Sequence, residues 1–275
     1  YIGGIGWEKR LECVYKVFAF DFEGQLIWST PVCVSRAAEF AAGALVECDG
    51  EVFYLTNVGV LAAVNAYTGS LNWLVKYATV PIEGQPAVRP NRWRNQRSAP
   101  LRPCVPPIIW KGVYKGEIHR YIAILPTDSE YVSVYDLDVQ RLKWREKRAG
   151  HKFMLGPFGD SLLLFGGTSP TSPSALAIEG YHIPTGIHTM AQEIKVRANG
   201  APLILKDLIL IPSERSLAVY KIEKDNRAGI KYEQYTAKLL KEYEWLKVEL
   251  HQKETSPCGN LFWTNGRLIL CNGQK

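Results

Sequence analysis

The sequence lacks several features that define well-known classes of protein. No stretch approaches the roughly 18 consecutive apolar residues of a transmembrane helix, so no membrane span is predicted. The six cysteines include no CxxC pair, and none stands at a zinc-ligand spacing from a histidine. The five histidines include no pair four residues apart, so no helical metal-binding pair is present.

Signatures of common enzymes are missing as well. The chain has no Gly-x-Ser-x-Gly elbow, no phosphate-binding loop and no dinucleotide fingerprint. The net charge of +6 is modest, and much of it falls in one arginine-rich segment, so it does not indicate a nucleic-acid partner. These absences favour a non-enzymatic protein, although they leave enzymatic activity open.

The cysteines and the chain ends give two further expectations. Cys13, Cys48 and Cys271 stand in apolar strand-like settings, which predicts buried free thiols, while disulfides stay open if the protein is exported. The chain starts without Met or a signal peptide, in what looks like the end of a strand, and ends just past an apolar strand. We therefore expect a piece of a longer chain.

What the sequence does contain is a repeated strand–turn–strand unit. In the clearest copy, Leu61–Ala66 alternates as a half-buried strand does, Thr68-Gly69 is a turn signal, and Trp73 follows Gly69 by four residues. The same spacing relates Gly24 to Trp28, Gln140 to Trp144 and, in a weaker copy, Gly186 to Met190. Repetition of this kind predicts a repeat architecture for the whole chain.

The unit resembles the repeat of β-propellers related to pyrroloquinoline-quinone (PQQ) dehydrogenases. In that repeat an Asp/Asn-Ala-x-Thr-Gly turn follows the third strand of a blade, and a Trp on the outer strand docks between blades. The matching residues here are Asn65, Ala66, Thr68, Gly69 and Trp73. The resemblance implies an all-β propeller of four-stranded antiparallel blades, with structural docking roles for Trp28, Trp73, Trp144, Gly24, Gly69 and Gly186.

About five blade units are expected within a single propeller domain spanning 1–275. Their approximate bounds are 1–35, 36–79, 103–148, 150–194, 198–250 and, in part, 257–275, with insertions at 80–102 and 224–245. The charged stretch from 224 to 250 has apolar residues at near-helical spacing. It is either an amphipathic helix or a loop followed by an outer strand at Leu246–Leu250.

The two ends suggest how the propeller is built. We expect the N-terminal part to supply the last two strands of a blade and the C-terminal part the first two. Together they would complete one shared blade and close a five-blade ring. The alternative is an arc of a larger, eight-bladed propeller, the usual size in this repeat family.

The order of segments carries a closer resemblance. The run Leu45–Tyr77, a Pro/Arg-rich insertion, and then Leu125-Pro126-Thr127-Asp128-Ser129 is similar to large exported, quinone-binding-like propeller proteins of planctomycete-type bacteria. This resemblance implies a periplasmic or extracellular location. It does not imply a bound quinone, because fold is not function.

Cofactor binding is not expected. Quinone enzymes with this repeat use a calcium ion, a catalytic Asp and often a vicinal disulfide, yet this chain has no adjacent cysteines and no matching carboxylate set. Asp21, Asn65 and Asp136 do match the repeat, but as turn-capping residues. We therefore predict no PQQ, no calcium or other metal, and no catalytic residue.

The insertion at 80–102 is the one candidate surface for a partner. Its prolines exclude a regular strand, and Arg and Trp are the residue types enriched at interface hot spots. The segment is either a solvated basic loop or a docking arm for another chain or domain. The possible partner-binding residues are Arg89, Arg92, Trp93, Arg94, Arg97 and Arg102.

Three functional hypotheses follow. The first is a non-catalytic binding or scaffold propeller in an exported protein assembly. The second is the propeller domain of a quinone- or haem-dependent oxidoreductase whose redox site lies outside this segment. The third is an outer-membrane protein assembly factor, because a periplasmic lipoprotein of that machinery shares the repeat.

Overall fold

A computed structural model gives the fold of the chain. It describes residues 1–9, 12–35, 43–79, 105–148, 150–166, 176–196, 198, 200–213, 216–225, 234–244, 259–264 and 267–272. Contacts divide the chain into two compact units, Tyr1–Arg148 and Ala149–Lys275. Across the described ranges, no helix has the length and apolar character needed to cross a membrane.

The first unit contains three antiparallel sheets, in each of which every strand lies beside its chain neighbours. The strands of the first sheet are β1 (Ile2–Lys9), β2 (Glu12–Phe20) and β3 (Leu26–Ser35). Those of the second are β4 (Ala44–Cys48), β5 (Glu51–Leu55), β6 (Val60–Asn65) and β7 (Leu71–Lys76). Those of the third are β8 (Ile108–Tyr114), β9 (Glu117–Ile124), β10 (Tyr131–Asp136) and β11 (Arg141–Lys147).

The second unit repeats the same meander. Its first sheet comprises β12 (His151–Phe158), β13 (Ser161–Gly166), β14 (Leu176–His182) and β15 (His188–Ile194). Its second comprises β16 (Leu203–Leu205), β17 (Leu208–Pro212), β18 (Ser216–Asp225) and β19 (Gln234–Glu244). The last sheet described is the hairpin of β20 (Gly259–Thr264) and β21 (Arg267–Asn272). Successive four-stranded antiparallel meanders are blades, and they confirm the predicted all-β propeller fold class.

Local turn chemistry accounts for the hairpins. Asp49 and Gly50 both have positive φ, 51° and 77°, as the tight turn between β4 and β5 requires. Lys115 and Gly116 do the same between β8 and β9, with φ of 54° and 86°. That second turn closes the β8–β9 hairpin, in which Tyr114 pairs with Glu117.

The repeated unit is a β-bulge that recurs in every outer strand pair. The turn residues Gly24, Gly69, Gln140 and Gly186 have φ of 84°, 74°, 56° and 75°, so Gln140 takes the glycine place in conformation as well as in sequence. After each turn the register shifts by one residue, which places Trp28 opposite Ala19, Trp73 opposite Ala63, Trp144 opposite Val134 and Met190 opposite Gly180. A fifth copy pairs Lys241 with Val219.

The inner strands form the cores because they are covered on both faces. Strands β5, β6, β10 and β13 are almost continuously buried, whereas the outer strand β7 alternates between exposed and half-buried residues. In the first unit one cluster includes Tyr15, Tyr54 and Ala62. Another, around Phe53, Ile122 and Tyr135, joins the second and third sheets.

The N-terminal sheet has three strands, so the expectation of two strands there is wrong. Glycine is uncommon in strands, which weakened the signal of β1. Aromatic rings occupy the space that side chains would take there. A Cβ on Gly3 would lie 2.6 Å from Cε2 of Tyr54, and one on Gly4 would lie 2.9 Å from Cε2 of Phe18. The last described sheet has two strands, and the completion of one shared blade by the two ends stays a prediction.

The segment from 224 to 250 is also corrected. Residues 234–244 are the strand β19, so the amphipathic helix is wrong, and the outer strand lies earlier than Leu246–Leu250. The bulge explains the misleading spacing, because Leu239 pairs with Tyr220 and Lys241 pairs with Val219, leaving Leu240 as the extra residue. Residues 226–233 and 245–258 lie outside the described residues.

Candidate functional site

Trp28 joins two neighbouring sheets of the first unit. Its Nε1 donates a hydrogen bond of 3.2 Å to the carbonyl oxygen of Ala66, which also accepts a 3.2 Å bond from the Tyr1 hydroxyl. The indole lies over the next turn, where a Cβ on Gly69 would be 2.7 Å from Cδ2 of Trp28. Thr30 Oγ1 donates to the carbonyl of the same glycine.

The other repeat residues occupy one sheet each and do not converge on a single site. Trp73 is half-buried, with its ring centroid 6.1 Å from that of Phe53 at the shared core of the second and third sheets. Trp144 is half-buried on β11, and Gly186 closes the β14–β15 turn by donating to His182 at 2.7 Å. Gly24 stands in open space. In the described part of the chain these residues lie at separate positions, and their docking roles stay a prediction.

A concave site does exist in the first unit, between the end of β7 and the face of β10 and β11. We call it the β7–β10 groove, and its volume is about 90 Å³. Sequence reasoning missed it, because its two walls belong to different sheets. The lining residues are Val75, Lys76, Tyr77, Ala78, Ser129, Tyr131, Ser133, Tyr135, Leu142 and Arg145.

Strand geometry places the polar groups of one wall. Tyr131, Ser133 and Tyr135 share a face of β10 because side chains alternate along a strand. Arg145 pairs with Ser133 across β11, and Leu142 pairs with Tyr135 beyond the bulge. The bulge therefore brings a guanidinium and an aliphatic side chain to the same rim.

Hydrogen bonds between loops hold the other wall. The Tyr77 hydroxyl donates to Oδ1 of Asp128 at 2.8 Å, and Ser129 Oγ donates to the Ala78 carbonyl at 2.7 Å. The Thr127 amide donates to Oδ1 of Asn57 at 3.0 Å. These bonds join the end of β7 and the β5–β6 turn to the β9–β10 loop, so the groove is formed before any ligand binds.

The groove is electropositive and rich in hydroxyl groups. Of the described residues that line it, Lys76 and Arg145 are cationic and none is acidic. The guanidinium carbon of Arg145 lies 5.0 Å from the centroid of the Tyr131 ring, a cation–π contact. Burial raises the pKa of Tyr135 to about 12 against the opposing charge of Arg145, so its hydroxyl stays protonated near neutral pH. Such a site can bind a carboxylate and hydrogen-bond acceptors.

The groove lies at the start of the arginine-rich insertion. The described chain passes along Tyr77 and Ala78, stops at Thr79 and resumes at Val105. The predicted partner-binding residues, Arg89, Arg92, Trp93, Arg94, Arg97 and Arg102, therefore lie outside the described residues.

The other titratable groups of the described residues have local structural surroundings. Within the described ranges no group of three or more His, Cys, Asp or Glu is placed to hold a metal ion. Cys13, Cys33 and Cys48 are free thiols, and burial raises the pKa of Cys33 to about 11. His182 Nδ1 lies 2.7 Å from Thr185 Oγ1 in the β14–β15 turn, and burial lowers its pKa.

Comparisons with known proteins agree on the fold. No family model matches the chain, and no curated protein matches it either. The crystal structure of BamB from Moraxella catarrhalis matches with a TM-score of 0.53 and 12% identity, over 94% of this chain and 66% of that chain. The chain has the fold of a β-propeller.

A second structure, apo AztD from Citrobacter koseri, aligns at 10% identity with a TM-score of 0.48. It covers 96% of this propeller chain and 61% of the other. The chain thus spans less than two thirds of the length of these two structures. At such identities the similarity shows the fold alone.

Proposed function

We propose that this chain is a non-catalytic β-propeller module that binds another protein chain or domain within an exported assembly. The observation that carries the proposal is the β7–β10 groove, a preformed electropositive cleft beside the start of the arginine-rich insertion. Arginine and tyrosine, which meet at its rim, are typical of interface hot spots.

The proposal includes the finer family assignment. The turn motif Asn65-Ala66-x-Thr68-Gly69 and the recurrent bulge before Trp28, Trp73 and Trp144 support membership of the PQQ-dehydrogenase-like repeat proteins. The resemblance to exported propeller proteins supports a periplasmic or extracellular location. In this proposal the family's repeat is used as a scaffold, without PQQ or calcium.

Site-specific crosslinking tests the function. A photoreactive amino acid replaces Leu142, which lines the groove and is 42% exposed. The matched control replaces Phe22, which is fully exposed in the β2–β3 turn of the same unit. Irradiation of the full-length protein in its native compartment should give a discrete crosslinked protein from position 142 and not from position 22. Identical products, or none, from both positions would contradict the proposal.

The two other hypotheses have their own tests. An outer-membrane assembly factor should co-purify with barrel-assembly subunits. That hypothesis rests on the resemblance of the repeats, because the match to BamB at 12% identity shows the fold alone. An oxidoreductase should show the absorption spectrum of a bound quinone or haem in the intact protein. Co-purification would identify the partner of the scaffold, whereas a quinone or haem spectrum would displace the scaffold proposal.

A further inference from the structure

We infer that the β7–β10 groove recognises an acidic, extended peptide segment and that Arg145 is the residue that reads its carboxylates. The inference rests on the proposed protein-binding function and names the chemistry of the partner. It follows from three properties of the groove: uncompensated positive charge, an arginine supported by an aromatic ring, and an apolar wall.

The two cationic residues of the groove have no acidic partner among the described residues. Neither Lys76 nor Arg145 forms an ion pair with a described residue. Some exposed cations elsewhere in the fold are paired, such as Arg120 with Asp138 at 2.9 Å and Lys238 with Glu223 at 2.6 Å. Two unpaired cations on one concave surface attract an anionic ligand, and low-dielectric walls focus that attraction.

The nearby carboxylates do not neutralise the groove. Asp128 accepts a hydrogen bond from the Tyr77 hydroxyl at the loop wall and is not a lining residue. Glu146 follows Arg145 on β11, so it points to the opposite face of the sheet. Glu130 is exposed on the β9–β10 loop and is not among the lining residues. Among the described residues no carboxylate lines the groove beside Arg145, so an acidic ligand would supply that partner.

The orientation of Arg145 favours binding of a carboxylate over binding of an anion without that planar geometry. Its guanidinium lies over the Tyr131 ring, which restricts its rotamers and lowers the entropy lost when a ligand binds. A guanidinium pairs with a carboxylate through two parallel N–H···O bonds, a geometry that a lysine cannot reproduce. The hydroxyls of Ser133 and Tyr135 lie on the same face of β10.

The remaining wall is apolar and suits a peptide side chain. Val75 and Leu142 line the groove together with the rings of Tyr131 and Tyr135. A volume of about 90 Å³ accommodates about one side chain of an extended segment rather than a folded domain. The best occupant is a short segment in which acidic residues alternate with aliphatic or aromatic ones.

Peptide binding by the purified full-length protein tests the inference. The probe is a fluorescein-labelled peptide of alternating glutamate and leucine, and its counterpart has glutamine in place of each glutamate. We expect the glutamate peptide to bind at least about tenfold more tightly at low salt, with the difference reduced at high salt. Equal binding of the two peptides would overturn the inference.

Variants assign the binding to the groove. Arg145→Gln is expected to weaken binding of the glutamate peptide about tenfold, and Lys76→Gln by a smaller factor. Arg145→Lys should give an intermediate affinity, because lysine keeps the positive charge but cannot form the two parallel hydrogen bonds of a guanidinium. The matched control is Lys195→Gln, which removes one exposed charge in the second unit and should change affinity by less than about twofold. A loss in Lys195→Gln equal to that in Arg145→Gln would show non-specific attraction and refute the assignment.

Two further outcomes separate this inference from the proposed function. If crosslinks from position 142 persist while the glutamate peptide does not bind, the partner is not acidic and only the inference fails. If no crosslinks form, the protein-binding function itself fails. A single-stranded oligonucleotide that binds more tightly than the peptide, with the same dependence on Arg145, would overturn the acidic-peptide assignment in favour of a nucleic acid.

Discussion

At the scale of single residues, Gly24 and Gly69 occupy the same position of the repeat but differ in what packs against them. Gly69 and Gly24 both have positive φ, which costs an L-amino acid about 1–2 kcal/mol. Gly69 also lies under the Trp28 indole, whereas nothing lies within 4 Å of a Cβ on Gly24. The two glycines are therefore matched in backbone conformation and differ in packing.

Alanine at these positions should separate the two effects. Gly24→Ala is expected to destabilise the protein by about 1 kcal/mol through backbone strain alone. Gly69→Ala should cost about 2 kcal/mol more, because its Cβ displaces the indole. Denaturant midpoints of the full chain measure the difference. Equal midpoints for the two variants would show that Trp28 does not depend on the bare backbone of Gly69.

Trp73 gives a second prediction at this scale. Truncation to alanine should cost about 3 kcal/mol, at the low end for a large aromatic, because the indole is half-buried beside Phe53. The control is Tyr67→Ala, since Tyr67 is 79% exposed on the adjoining turn and should change stability by less than about 0.5 kcal/mol. A melting temperature for Trp73→Ala equal to that of the control would exclude a packing role.

At the scale of elements, the β14–β15 turn contains a titratable hydrogen bond. His182 and Thr185 close this turn, and burial lowers the pKa of His182 from its ordinary 6.5 against the opposing charge of Asp160. The folded state therefore binds the proton less readily than the unfolded state. The stabilisation is present above about pH 6.5 and is lost as the pH falls below it.

The turn should therefore make stability depend on pH. We expect the wild-type melting temperature to fall between about pH 8 and about pH 5, and the fall to be smaller in His182→Asn. The difference between the two proteins isolates this residue from the other histidines. His188→Gln is the comparison variant, because His188 is exposed on the next strand. An identical pH profile for wild type and His182→Asn would contradict the assignment.

At the scale of the whole molecule, the proposed function makes the repeat a scaffold that offers surfaces between blades. The β7–β10 groove arises where the end of one sheet meets the face of the next, and a hydrogen bond between Ser129 and Ala78 closes it. In this view the repeat tryptophans stabilise the sheets, and the functional residues are those that vary around the bulge. Arg145, which directly follows Trp144, is one example.

A scaffold of this kind should not respond to the cofactors of the quinone dehydrogenases that its repeat resembles. Incubation of the intact protein with calcium and PQQ, singly and together, is expected to leave the melting temperature unchanged. A ligand at about 100 times its dissociation constant would stabilise the folded state by about 2.7 kcal/mol, which is readily detected. A clear rise with either compound would restore the oxidoreductase hypothesis.

Much of the fold could be predicted from the sequence because its signals are local. Asp49-Gly50 specifies a hairpin through its own φ preferences, and the spacing from Gly69 to Trp73 contains both the turn and the bulge. The bulge is also where local reasoning failed. It removes the two-residue period from β19, so the apolar residues of that strand imitate a helix.

The strand β1 and the groove depend on contacts between distant residues. Position 3 of strand β1 is a glycine because the Tyr54 ring fills the space that a side chain would take. Nothing near residue 3 in the sequence indicates that ring. Similarly, Ser129 and Ala78 are 51 positions apart when they close the groove, and Arg145 reaches the rim only through the β11 register. Strand periods and turn preferences act between neighbours in the chain, whereas a cleft requires the packing of one sheet against another.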